Sequence, residues 1–145
     1  MEIKTIGFKE NAEAMELVLR TFMKYEAPDY SRAGVEAFQN MVIHNDDYLR
    51  NIVLYGAYEG NTLQGVIATR NHGNHIALFF VDGKYQRLGI GKKLFHSVLE
   101  NSSSNEITVH SSPYAVEVYH HLGFMDTDQE QVTDGIRYTP MKYVK

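Results

Sequence analysis

The sequence predicts a mixed α/β fold in which a central, largely antiparallel sheet is flanked by helices within a single domain, residues 1–145. The chain has 145 residues, of which 43% are hydrophobic and 22% are charged, and this suits one hydrophobic core. Segments with helical spacing alternate with strand-like runs. Short turns rich in glycine and asparagine separate the central strands. This order of elements is typical of helices packed on one sheet.

The first third of the chain is predicted to be one short strand followed by two helices. The strand covers residues 3–7. Apolar residues then recur at helical spacing in two segments, 15–22 and 35–42, which Pro28 separates. Asn11 is the expected cap of the first helix, because asparagine side chains accept hydrogen bonds from free helical N–H groups.

The middle of the chain is predicted to be three strands, residues 53–59, 63–70 and 76–81. Gly60-Asn61 and the turn at residues 71–74 separate them. Consecutive strands joined by such short turns pair antiparallel, so we expect a meander.

The last third is predicted to be a helix, a strand, a second helix and a final hairpin. These elements cover residues 90–100, 106–110, 112–123, and 123–127 with 135–143. The second helix carries a start signal in Ser112 and Pro113, since serine accepts from a free N–H and proline has none to satisfy. Gly123 is a matching stop signal.

Composition excludes several classes of protein. The chain has no cysteine, which excludes disulfides, thiol nucleophiles and cysteine-ligated metals. No apolar run approaches the ~20 residues that span a bilayer, and no leader opens the sequence, so we expect a cytoplasmic protein without a membrane partner. The net charge of −4 argues against nucleic acid as a partner. The sequence leaves a homodimer open.

The most informative segment is a glycine-containing loop between the strand at 76–81 and the next helix. Gly89 and Gly91 stand at the helix start, where free N–H groups and the helix dipole attract phosphate. Arg87, Lys92 and Lys93 add positive charge. The loop lacks the third glycine of G-x-G-x-x-G and does not match G-x-x-x-x-G-K-[ST]. It therefore predicts a phosphate site of another kind.

Two motifs resemble those of the GNAT superfamily of N-acetyltransferases. Residues 86–91, Gln-Arg-Leu-Gly-Ile-Gly, resemble its [QR]-x-x-G-x-[GA] signature. Residues 112–124 resemble its N-x-x-A-x-x-x-Y-x-x-x-G-F pattern, with matches at Ala115, Tyr119, Gly123 and Phe124. Ser112 stands at the family's asparagine, and Gly83 where relatives often have proline. The resemblance extends from about Val53 to the end of the chain.

The resemblance implies acetyl-coenzyme A (acetyl-CoA) as co-substrate and no metal. Its pyrophosphate is expected on the backbone of the glycine loop, and its pantetheine arm beside the end of the preceding strand, like an added strand. The residues expected to bind it are Phe79, Val81, Gln86, Arg87, Leu88, Gly89, Ile90, Gly91, Lys92 and Ser112.

The resemblance also implies transfer of the acetyl group to a primary amine by direct attack, without a covalent enzyme intermediate. Tyr119, at the position of the family's tyrosine, is the expected general acid; a tyrosine on an apolar helix face is otherwise a core residue. His110 is the first candidate for the general base, because it ends the strand before the Ser112 helix. The alternatives near strand ends are Glu59, His72, His75 and Asp82.

Histidine pairs do not indicate a metal site. His72 and His75 have no carboxylate or third histidine near them in sequence, and adjacent helical residues such as His120 and His121 point apart. We interpret all four as solvated side chains.

The loop at residues 25–30 is where this family usually builds specificity for the acceptor. It carries two carboxylates between two tyrosines, which could receive a cationic amine of a small molecule or peptide. The alternative is a solvated acidic loop.

Two other functions fit the same residues. Ser112 and the lack of an obvious base are compatible with an acyl-CoA-binding or sensing module without catalysis. A protein-interaction domain, in which the glycine loop is only a turn, is the third interpretation.

Overall fold

The structure, a computed structural model, describes residues 1–145 and has one eight-stranded sheet with five α-helices. The strands are β1 (Glu2–Ile6), β2 (Val53–Glu59), β3 (Thr62–Arg70), β4 (His75–Val81), β5 (Glu106–Ser111), β6 (Met125–Asp126), β7 (Gln131–Thr133) and β8 (Ile136–Val144). The helices are α1 (Ala12–Tyr25), α2 (Arg32–Phe38), α3 (Asp46–Arg50), α4 (Ile90–Asn101) and α5 (Val116–Leu122). The predicted fold class is confirmed. None of the helices is long and apolar enough to cross a bilayer.

The sheet opens between its two central strands. Strands β2 to β4 form the predicted antiparallel meander, and β1 pairs antiparallel with β2 at its outer edge. On the other side of the sheet, β5 pairs antiparallel with β8. Strands β4 and β5 run parallel and pair only at His75 with Thr108 and Ile76 with Val109. Beyond Ile76 the two strands separate, so the last residues of β4 have a free edge on that side.

Two hydrophobic clusters lie on the two faces of the sheet. Side chains of α1, among them Phe22, pack on one face of β3 and β4. Side chains of α4 and α5, among them Leu94 and Tyr119, pack on the other face. Alternate residues of β3 enter different clusters, Val66 the first and Ile67 the second. The sheet is thus covered on both sides, and its opening connects the two layers.

Three helices precede the meander, where the sequence predicted two. The additional helix, α3, has five residues and is capped by Asn45, whose Oδ1 accepts from the Tyr48 N–H at 3.1 Å. So short a helix shows little periodicity. The prediction that Asn11 caps α1 is wrong, because its own backbone is helical and its side chain makes no capping hydrogen bond.

Helix α5 begins later than predicted. Residues 112–115 form a turn in which the Ser112 hydroxyl accepts from the Ala115 N–H at 3.3 Å, and the helix starts at Val116. Gly123 ends the helix with φ +105°, as predicted. Val118 is 48% exposed, although its apolar side chain lies at helical spacing from the partly buried Ala115 and Leu122 of the same segment. The final hairpin has an additional strand, β7, between its predicted arms.

Candidate active site

A cleft of about 740 Å³ lies where β4 and β5 separate. Its walls come from the end of β4, the glycine loop, the first turns of α5 and the end of α1. A smaller cavity of about 220 Å³ between β1 and α3 has Arg50 as its single ionisable side chain. Of these two cavities, the large cleft has far more ionisable side chains in its lining.

The two glycines of the loop are needed for different reasons. Gly89 caps α4 with φ +81°, a left-handed conformation that favours glycine. Gly91 lies in the first turn of α4, and a Cβ there would lie 3.3 Å from Cζ of Phe79. The first hydrogen bond of the helix runs from the Lys93 N–H to the Gly89 oxygen, so the N–H groups of residues 90–92 have no partner within it.

Positive charge is available at this end of the cleft. Arg87 and Lys92 line it, and neither forms a salt bridge within the protein. Together with the free N–H groups, they can bind a diphosphate.

The Gln86 side chain ties the loop across the cleft. Its Nε2 donates to the Val81 carbonyl at 3.0 Å, and its Oε1 accepts from the Tyr114 hydroxyl at 3.1 Å. The Tyr114 ring in turn stacks on Tyr25 at the end of α1, with the ring centroids 5.1 Å apart. Both polar groups of the Gln86 side chain are thus engaged by the protein.

Tyr119 presents its hydroxyl to the cleft. The side chain is 5% exposed, and its ring packs edge-on against Phe79 and Phe124, with centroids 5.8 and 5.2 Å away. The hydroxyl has no hydrogen-bond partner in the protein. Because every fully buried polar side-chain atom does have a partner, the hydroxyl oxygen is not fully buried. Burial, and then the Glu26 carboxylate, raise the pKa of Tyr119 well above its ordinary value. The phenol therefore stays protonated at neutral pH.

Glu26 is an ionisable residue of the cleft that the sequence does not single out as a candidate base. It directly follows α1 and lines the cleft. Burial raises the pKa of Glu26 to about 7; the Ser112 hydroxyl opposes this rise by hydrogen bonding, and the Asp29 carboxylate adds to it. A carboxyl with this pKa can accept a proton at neutral pH. The sequence indicates the loop at residues 25–30, but nothing local indicates that Glu26 faces Ser112 and Tyr119.

Most residues predicted to bind the cofactor line the cleft. These are Phe79, Val81, Gln86, Arg87, Gly89, Ile90, Gly91 and Lys92. Leu88 does not; its side chain is 67% exposed at the tip of the loop. Ser112 is buried and is not among the lining residues, but its hydroxyl interacts with Glu26.

The structure does not bring His110 to the cleft. Ile107, Val109 and Ser111 of β5 are buried on one face, so His110 faces the other way. Its ring stacks on Tyr138, with the centroids 4.7 Å apart, and it is not among the residues lining the cleft.

The other candidate bases are also absent from the cleft lining. Asp82 is paired with Arg20 at 2.7 Å, and Glu59 with the N-terminal ammonium at 3.3 Å. His75 contacts the Thr108 hydroxyl at 2.7 Å, and burial, then Arg70 and His110, lower its pKa to about 4. His72 lies exposed in the turn before β4. No group of three or more metal-ligating side chains is present in the structure.

The sequence matches one protein family. A family model described as an acetyltransferase (GNAT) domain matches residues 26–145. No curated protein matches the chain significantly in sequence.

Solved structures resemble the whole chain. A GCN5-related N-acetyltransferase from Rhodopseudomonas palustris has 16% identity and a TM-score of 0.84, with 99% of this chain and 95% of that chain covered. The PaiA N-acetyltransferase of Thermoplasma acidophilum, in complex with coenzyme A, has 18% identity and a TM-score of 0.78, with 99% and 98% covered. The apo form of YjaB from Escherichia coli has 20% identity and a TM-score of 0.77, with 99% and 97% covered. At these identities the likeness shows a shared fold.

Proposed function

We propose that this chain, which belongs to the GNAT family of acetyl-CoA-dependent N-acetyltransferases, transfers the acetyl group to a primary amine. In the proposed reaction the amine attacks the thioester directly. The observation that carries this proposal is the cleft itself. Its lining combines the free N–H groups and unpaired cations of the glycine loop with Glu26 and Tyr119. The first set is suited to the diphosphate of the co-substrate, and the second to the chemistry at its thioester.

The binding site for acetyl-CoA is built from backbone and cationic groups. The N–H groups of residues 90–92, with Arg87 and Lys92, are suited to its pyrophosphate. The free edge of β4 beyond Ile76 offers main-chain polar groups to the amides of the pantetheine arm. CoA in the complex of the Thermoplasma protein supports this choice of ligand.

Glu26 is the proposed general base. A free alkylamine has a pKa of roughly 10.4 and is mostly protonated near neutrality. Full transfer of a proton from that ammonium to a carboxylate of pKa about 7 is uphill. The acceptor therefore reacts as its small neutral fraction, which has lost one proton to solvent. The attacking nitrogen becomes more acidic as it bonds to the carbonyl carbon, so Glu26 removes the surplus proton during or after attack. Glu26 replaces His110, which the cleft does not include.

Tyr119 is the proposed general acid. Its hydroxyl, free of protein partners, donates to the sulfur as the carbon–sulfur bond breaks. The Glu26 carboxylate is, after burial, the second cause of the raised pKa of Tyr119. Protonation of Glu26 removes that negative charge and makes the phenol a stronger acid. The proton gained from the amine thus favours release of the thiol, and the two steps are coupled.

A non-catalytic acyl-CoA-binding module would need neither group. Glu26 carries a carboxyl desolvated in the cleft, which is costly in a protein that only binds. Tyr119 likewise places a phenol that stays protonated at neutral pH in the lining of the cleft. Both observations favour the enzyme over the binding module.

The first experiment is thermal unfolding with and without acetyl-CoA, because a ligand that binds only the native state raises its stability by about 2.7 kcal/mol at 100 times Kd. Arg87→Gln should reduce the shift, and Arg32→Gln, an exposed arginine on α2, is the matched control. A panel of primary amines, monitored by thiol release, then tests transfer. No shift at millimolar acetyl-CoA would contradict the proposal.

A further inference from the structure

The β7–β8 hairpin is hydrogen-bonded to the segment that carries Glu26. Arg137 of β8 donates from Nη1 to the Asp29 carbonyl oxygen at 3.3 Å, between residues 108 positions apart in the chain. Its Nε and Nη2 donate to the two carboxylate oxygens of Glu130, each at 3.1 Å. This two-pronged pair orients the guanidinium, so that Nη1 is directed at the loop.

A second contact joins the backbone of the hairpin turn to the start of α2. A Cβ added at Gly34 would overlap the carbonyl oxygen of Gly135, and one added at Gly135 would overlap the hydroxyl oxygen of Ser31. That hydroxyl accepts from the Gly34 N–H at 3.1 Å and caps α2. The segment between α1 and α2 is thus seated on the hairpin by its far end as well as by Asp29.

Hydrogen bonds carry the constraint from Arg137 to Glu26. The Asp29 N–H donates to the Glu26 carbonyl at 3.0 Å, and the Glu26 N–H donates to the Phe22 carbonyl at 2.9 Å. Asp29 thus accepts a hydrogen bond from Arg137 through its carbonyl and donates one to the Glu26 carbonyl through its N–H, so a single residue links the two. The Glu26 backbone is therefore fixed between α1 on one side and the hairpin on the other.

We infer that Arg137 is a positioning residue for acetyl transfer: through Asp29, it holds the loop at residues 26–31 so that the Glu26 carboxyl stays in the cleft beside Ser112 and Tyr119. This inference rests on the proposed role of Glu26 as general base. Arg137 itself is not among the residues lining the cleft. Its effect should thus appear in the base-dependent step and not in binding of acetyl-CoA.

The test is a double-mutant cycle between Arg137→Gln and Glu26→Gln, with kcat and KM measured across pH. We expect Arg137→Gln to lower kcat about tenfold, which corresponds to about 1.4 kcal/mol, with an unchanged KM for acetyl-CoA. In the Glu26→Gln background the same substitution should have no further effect. Arg32→Gln, which breaks an exposed arginine–glutamate pair on α2, is the matched control. An equal loss of kcat in both backgrounds would overturn the inference.

Amide hydrogen exchange separates this inference from the proposed function. Arg137→Gln should speed exchange at residues 26–31, and Arg32→Gln should not; unchanged exchange there would also overturn the inference. If Glu26→Gln leaves turnover intact, Glu26 is not the general base and the proposed mechanism fails. The exchange rates at residues 26–31 would still show whether the contact between Arg137 and Asp29 holds the loop. Should Arg137→Gln fail to fold, Glu130→Gln keeps the arginine but removes the charge that orients it, and the same two measurements apply.

Discussion

The Tyr114 hydroxyl donates a hydrogen bond of 3.1 Å to the side-chain oxygen of Gln86, across the opening between β4 and α5. The other end of the Gln86 amide donates to the Val81 carbonyl at 3.0 Å. The first residue of the glycine loop is thus held to both sides of the cleft. The motif at residues 86–91 predicts that Gln86 contacts acetyl-CoA. In the structure, the Gln86 side chain instead orders the loop that would bind this ligand.

Replacement of Gln86 by alanine should weaken acetyl-CoA binding by roughly 30-fold, because it removes two hydrogen bonds that each contribute about 1 kcal/mol to loop order. Titration calorimetry measures the change in Kd. Gln129→Ala, at an exposed glutamine on the segment before β7, is the control and should leave Kd unchanged. Equal affinity of the Gln86 variant and the wild type would show that the loop is ordered without this side chain.

Gly89→Ala should lower both stability and cofactor affinity. The left-handed conformation, φ +81° with open space around it, costs an alanine about 1 kcal/mol. Gly60→Ala is a matched control, since Gly60 has φ +59° and no atom near its missing Cβ, but lies in the turn between β2 and β3. Denaturant unfolding should show similar losses for both variants. Only Gly89→Ala should also weaken acetyl-CoA binding; equal affinities would argue against a ligand at the loop.

Tyr119→Phe should reduce kcat by about 100-fold or more, since a general acid typically contributes about 10²- to 10⁴-fold, and leave acetyl-CoA affinity nearly intact. The ring contacts with Phe79 and Phe124 survive the substitution, so folding should be preserved. Tyr143→Phe is the control, because Tyr143 packs on the same Phe124 at 5.6 Å but does not line the cleft. Steady-state kinetics on both variants gives the comparison. Unchanged turnover in Tyr119→Phe would remove it from the mechanism.

The rate should depend on pH through Glu26. Since the pKa of Glu26 is about 7, the carboxylate form increases as pH rises through this value, and kcat should rise with it. Glu26→Gln should abolish that inflection. Asp29→Asn should move it to lower pH, because the Asp29 carboxylate helps to raise the pKa of Glu26. An inflection that persists in Glu26→Gln would assign it to another group.

Stability should show the opposite dependence on pH. The pKa of Glu26 is about 7 in the folded protein and near the ordinary 4.5 when unfolded. Between these values the folded state holds a proton that the unfolded state has lost, so this contribution to stability declines as pH rises through the interval. The free energy of unfolding of Glu26→Gln, measured relative to that of the wild type, should therefore increase by on the order of 2 kcal/mol from pH 5 to pH 8. Urea unfolding at the two pH values checks this, and an equal difference at both would contradict burial of the carboxyl.

Some elements could be predicted because their signals are local. The turns between β2, β3 and β4 and the stop at Gly123 depend on neighbouring residues alone, and the structure shows them as predicted. Helix α3 and strand β7 are too short to show a period. Val118 carries an apolar side chain at helical spacing, yet it faces the open cleft because β4 and β5 separate beneath it.

The sequence by itself determined the family, the order of most elements and the position of the glycine loop, because motifs, periodicity and turn preferences act over a few neighbouring residues. Only the tertiary structure decided which side chains meet. His110 ends the predicted strand but faces away from the cleft, since alternation along β5 turns it from the face that buries Val109. Glu26 reaches Ser112 and Tyr119 because α1 and the β7–β8 hairpin place its loop over the opening, and such long-range packing leaves no local signal.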